Sequence, residues 1–241
     1  MKQKKRTAIQ LLSLLSSILL SAVSAWAVPV KFSLRSGNTY EYSLKVSHRN
    51  SSTALESTFN HTASPGKTDF QVNVIDFENG AFVVDIKTEK QIFRRYLKEN
   101  GSIAGAPSEA GQQIPFFISF PDGDWQPGQK QQLSRPITIG RQSFPAAWQL
   151  LLKSVDQERQ TAEILFSCTP KLPSSRLAKR QYKLQGRLIF DLNQGLINQA
   201  DWTVEYAFSL IAKEIAVTRK LWEISEKTEY QLKLVNILEN L

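Results

Sequence analysis

Between Trp202 and Leu210 every even position is large and apolar (Trp202, Val204, Tyr206, Phe208, Leu210), while Asp201, Thr203, Glu205 and Ser209 are polar. The alternation returns further on, where Trp222, Ile224, Tyr230, Leu232 and Leu234 share one parity and Glu223, Ser225, Lys227, Glu229, Gln231 and Lys233 take the other. A period of two places alternate side chains on opposite faces of a strand. Residues 201–234 therefore predict two long strands, each with one dry and one wet face. Tyr40, Tyr42, Leu44 and Val46 repeat the pattern, as does Phe70-Gln71-Val72-Asn73-Val74.

Turn chemistry separates these runs. Asn79-Gly80 lies between two apolar stretches, the pairing that tolerates positive φ in a tight hairpin. Asn100-Gly101 and the run from Asp191 to Gly195 read the same way. Short strands are expected at 30–34, 91–97 and 115–120, one exposed Ser/Thr-rich strand at 51–62, and a loop at 102–113. Residues 145–155 form a continuous apolar core that fits a helix or a buried strand, and Ser143 could cap a helix there. A loose internal repeat favours strand: 148–166 echoes 70–86, 185–197 echoes 92–103, and 128–139 echoes the entry strand after Gly37. The expected fold is all-β and mostly antiparallel, a curled sheet, sandwich or half-barrel made of two related meander halves. Residues 28–113 form the first half and 114–241 the second.

The first 27 residues change the charge picture. Lys2, Lys4, Lys5 and Arg6 precede an apolar run over 8–22, and Ala25-Trp26-Ala27 supplies small residues for cleavage. This resembles a secretory signal peptide cleaved after Ala27, and so predicts an exported protein, periplasmic or extracellular. The whole chain has 30 Lys and Arg against 22 Asp and Glu; without the four N-terminal bases the balance is 26 to 22, a net charge of +4. That is no case for nucleic acid as a partner. Cys168 is the single cysteine, so no internal disulfide can form, and its apolar surroundings predict a buried thiol.

Catalytic resources are thin. His48 and His61 are the two histidines, no Gly-x-Ser-x-Gly elbow occurs, and no spacing supplies three or four metal ligands. Asp122-Gly123-Asp124 reads as turn chemistry, lacking the further acids of a calcium loop. No catalytic residue, metal or cofactor is expected, and a carboxylate-dependent hydrolase is the remotest reading. Two surfaces stand out instead. The aromatic set Trp202, Tyr206, Phe208, Trp222 and Tyr230 could fill a core or line an apolar groove at one rim, with Trp222 expected in the core. The basic set Lys171, Arg176, Lys179, Arg180, Lys183 and Arg187, free of acids, could meet an anionic envelope surface in peripheral contact.

The order of signal peptide, long amphipathic strands, Trp125-Gln126-Pro127-Gly128 turn and the G-x-x-x-F-D-x-x-x-G hairpin from Gly186 to Gly195 resembles a group of uncharacterised exported bacterial β-proteins. In outline it is also similar to the half-barrel lipoprotein carriers of the bacterial envelope, which lid their sheet with helices. The resemblance implies a non-enzymatic envelope protein that holds an apolar ligand, such as a lipid, or a partner segment on a concave sheet face. The alternative is a structural or assembly protein acting through contacts with other envelope proteins.

Overall fold

The computed structural model describes residues 27–54, 57–104, 118–139, 142–175, 178–213 and 218–239, with backbone alone at 104, 138, 211–213 and 218–221. Residues 1–26, which carry the expected signal peptide, most of the 102–113 loop and Arg176 lie outside the described residues.

Among the described residues the regular structure is strand throughout. The strands are β1 (Val28–Pro29), β2 (Thr39–Ala54), β3 (Ser57–Thr62), β4 (Gly66–Glu78), β5 (Ala81–Lys87), β6 (Ile92–Lys98) and β7 (Ile103–Ala104), then β8 (Asp124–Trp125), β9 (Lys130–Ile139), β10 (Gln142–Asp156), β11 (Thr161–Pro170), β12 (Ala178–Asp191), β13 (Leu196–Lys213) and β14 (Thr218–Leu238). One antiparallel sheet runs β7-β6-β5-β4-β2-β14-β13-β12-β11-β10-β9, with β3 beside the far end of β2. β1 and β8 make a separate pair. The two ends of the large sheet do not pair with each other, so it is open and not a closed barrel. Each half is a serial meander, and they join where β14 pairs with β2 from Trp222↔Ala54 to Leu238↔Thr39.

The ambiguous apolar stretch at 145–155 is strand, inside β10. Pairing on both sides, with β9 and β11, satisfies its backbone and buries Ala146, Leu150 and Leu152 on one face. Asn79 and Gly80 both take positive φ, 51° and 77°, which closes the β4–β5 hairpin as their chemistry requires.

Three expected strands differ. Residues 51–62 are not one strand: β2 ends at Ala54 and β3 returns beside it, pairing Ser52 with Phe59. The chain at 30–34 stays outside the large sheet; Val30, Phe32 and Leu34 are buried as a segment laid across its dry face. Ile118 to Phe120 is likewise buried without joining a strand, and 115–117 lie outside the described residues. Alternation alone cannot separate a strand from an extended cover, because both have two faces.

These two covers plug one end of the curled sheet. Phe32 stacks on Phe120 with centroids 5.7 Å apart, and both meet Phe190 edge-on. Hairpin tips pin them: Phe32 N donates to Glu99 O, Phe120 N to Asn100 O and Ser33 N to Gly195 O. Gly195 has φ 61°, and a Cβ there would fall within contact of the Ser33 backbone, so this tip needs glycine twice over. The curl at the same end follows from bulges between Val74 and Asp76, Leu152 and Ser154, Ile189 and Phe190, and Leu234 and Asn236. An extra residue on one strand sharpens its twist. The extruded Ile75 and Val235 point to solvent.

Candidate functional site

Beyond the plug the longest strands continue as an arm made from the far ends of β12, β13, β14, β2 and β3. Register fixes which side chains share its inner face. Phe208 opposes Arg180 on β12 and Ile224 on β14, Ile224 opposes Ser52, and Ser52 opposes Phe59. The next row is Ala178, Leu210, Trp222, Ala54 and Ser57. The same face thus carries the core at one end and the arm's apolar rows at the other.

Burial falls along this face. Trp202 is 4% exposed and lies flat against Tyr230, rings 4.7 Å apart and 4° from parallel. Tyr206, Phe208 and Tyr230 are half-buried, and burial pushes the Tyr230 hydroxyl up from its ordinary pKa. Trp222 is 38% exposed and Phe59 68%. Trp222 is therefore not the core residue its parity promised. It meets Phe208 edge-on at 5.9 Å and its Nε1 reaches Ser52 Oγ at 3.5 Å, but no cover segment crosses it among the described residues. Of the five aromatics picked from sequence, Trp202 and Tyr230 close the core, while Tyr206, Phe208 and Trp222 lead out along the arm. Phe59 was missed, because its strand has no apolar alternation; only its register beside Ser52 places it on this face.

The basic run does not make one patch. Strand alternation sends Lys179, Lys183 and Arg187 to the outer face and Arg180 to the inner one. Arg187 pairs with Asp201 at 3.2 Å, and Lys183 lies directly opposite Glu205. Arg180 holds its guanidinium over the Phe208 ring, 5.8 Å from the centroid, within cation–π range. Lys171 is exposed in the chain before β12, and among the described residues nothing joins it to the others.

A trough of about 590 Å³ crosses β10 to β14 over the backbone of Gly186, Trp202 and Tyr230. The side chains above that floor, among them Gln149, Gln185, Thr203, Asp201 and Glu229, have outward parity. It is therefore a feature of the wet face, where a coiled sheet is saddle-shaped. Its acids are engaged: Asp201 by Arg187 and Gln199, Glu229 by Lys227 at 2.7 Å.

Among the described residues the titratable groups do not converge. His48, half-buried, has Nδ1 2.9 Å from Thr228 Oγ1, and His61 is exposed on β3. Asp122 accepts a hydrogen bond from Asn100 Nδ2 at 3.0 Å. Among the described residues no three His, Cys, Asp or Glu side chains are grouped to hold a metal ion. Cys168 is buried between Trp148 and Leu184 in register, and burial pushes its thiol up to about 12.

No protein-family model matches this chain, and no curated protein does. Among solved structures, the crystal structure of Pseudomonas aeruginosa OccK11 (OpdR) aligns over 88% of this chain and 100% of its own, at 8% identity and a TM-score of 0.17.

Proposed function

We propose that this is an exported, non-enzymatic envelope protein that holds the hydrocarbon part of a lipid-class ligand on the inner face of its sheet arm. One observation carries the reading: the dry face of the sheet runs past its own plug and ends in aromatic rows open to solvent, from Tyr206 and Phe208 to Trp222 and Phe59. A strand face of that kind loses free energy for each apolar side chain left in water. The N-terminal segment supports export and the envelope as the source of such a ligand. Protein purified from its own host, analysed by native mass spectrometry and by solvent extraction, should carry lipid that Phe208→Asp abolishes. Absence of any co-purified lipid, with no uptake of added lipid, would sink the proposal.

A second reading rests on the arm's edges. Among the described residues β3 is paired along β2 alone, and the ladder between β12 and β11 ends at Cys168↔Leu184. Free edges can accept a strand from a partner. Cross-linking in the envelope separates the two: capture of a partner protein through β3 positions, with no lipid, would favour assembly.

A further inference from the structure

A cationic side chain lies on the dry face away from the arm. Arg135 of β9 has the inward parity of Leu133 and Ile137 and opposes the buried Ala146. Its guanidinium donates to Ser119 Oγ of the cover segment, and no carboxylate forms an ion pair with it among the described residues. Burial pushes its pKa down from the ordinary arginine value, and the charge of Asp122 opposes that shift. A cavity of about 60 Å³ opens beside it, lined by Ser119, Leu133, Arg135, Trp148 and Leu150 among others. Among the described residues Trp148 Nε1 is a buried donor that meets no acceptor.

The polar atoms described here are therefore donors in excess: a guanidinium with five N–H groups and one acceptor engaged, plus an indole N–H. Trp148 Nε1 is desolvated without an acceptor, which is costly, while the half-buried Arg135 keeps N–H groups that no acceptor among the described residues engages and that can turn to an oxygen in the cavity. The volume is that of about two waters at ~30 Å³ each, which is also the scale of a two-oxygen carboxylate. Register sets a row of side chains leading from it toward the arm: Trp148 opposes Cys168, Cys168 opposes Leu184, and Leu184 opposes Val204 at the foot of the arm, with Cys168 and Leu184 buried in the core. Three strand spacings make that distance about 14 Å.

We infer that this cavity binds the carboxylate of a long-chain carboxylic acid, with Arg135 and Trp148 as donors and the chain directed toward Val204 and Tyr206. The inference rests on the apolar-face reading above and names its ligand class. Titration calorimetry on the full mature chain, with laurate and dodecanol as probes, tests it. Laurate should bind roughly tenfold or more tightly than dodecanol, the scale of a hydrogen bond to a charged group. Arg135→Gln should collapse that preference by weakening laurate far more than dodecanol, Arg135→Lys should restore part of it, and Trp148→Phe should weaken laurate more than dodecanol. If laurate and dodecanol bind alike, or Arg135→Gln leaves laurate unaffected, the cavity holds water only and this inference fails, while dodecanol binding keeps the apolar-face reading. If neither probe binds, both fail. Should Arg135→Gln not fold, the wild-type preference and Trp148→Phe still decide the matter.

Discussion

Trp202 and Trp222 stand on the same face of adjacent strands, yet they lie in different solvents. Trp202 is stacked on Tyr230 inside the core, whereas Trp222 has lost its cover. Trp202→Ala should cost about 3–5 kcal/mol, the usual loss for a buried aromatic, and Trp222→Ala about 1 kcal/mol or less. Urea denaturation of the two variants checks this, and equal losses would contradict the exposure gradient. Parity made the shared face legible in sequence; burial was not, because it depends on the separate segments 28–34 and 118–120. Gly186 is a second residue whose meaning lies in packing. A Cβ there would sit 2.5 Å from Trp202 Cβ and 2.7 Å from Phe166 Cζ, so Gly186→Ala should destabilise by about 1–3 kcal/mol through overpacking. Cys168 adds a pH dependence. Its thiol titrates near 9.0 when free and at about 12 when folded, so the unfolded chain gives up its proton first. Stability from this site is whole below about pH 9 and is lost as pH rises toward 12. Cys168→Val should flatten that alkaline decline in denaturation midpoints, and the wild-type thiol should resist alkylation until the protein unfolds.

At the scale of elements, the last strand in the chain is the middle of the sheet. β14 pairs with β13 along one side and β2 along the other, so the first and last long strands are held together by non-local ladders. Its ends differ in what lies over them: Leu232 is buried near the plug, while Trp222 is open. Amide hydrogen exchange should therefore be slowest around 228–234 and progressively faster toward 222, with β3 among the fastest, since protection follows burial and pairing. Uniform protection along β14 would mean that something covers the arm. Most of these strands were legible from alternation and Asn-Gly turns. The order in which they pair was not, because a twofold period says which face a residue takes and nothing about its neighbour. The β2–β3 return shows the limit most plainly, since its Ser, Thr and Asn residues give no apolar signal at all.

The whole molecule joins its two meander halves through one ladder and one core. The buried cluster includes Tyr42, Val72 and Leu97 from the first half with Leu150, Leu188 and Phe190 from the second, and Phe32 and Phe120 bridge them. Neither half can release its apolar face without exposing the other's, so unfolding should be a single cooperative transition, the same by tryptophan fluorescence and far-ultraviolet circular dichroism. The open arm adds a dependence on ligand that a solid core would not show. A molecule that binds the folded arm and has no affinity for the unfolded chain raises stability with its free concentration, by about 2.7 kcal/mol at a hundredfold excess over Kd. Because the arm belongs to the same sheet as the core, that gain should move the one transition rather than split it. Adding laurate should thus raise the urea midpoint of the wild-type protein in proportion to the logarithm of its concentration, and should do so far less in Phe208→Asp. A midpoint that stays put across that range would show that the exposed aromatic rows hold no such ligand.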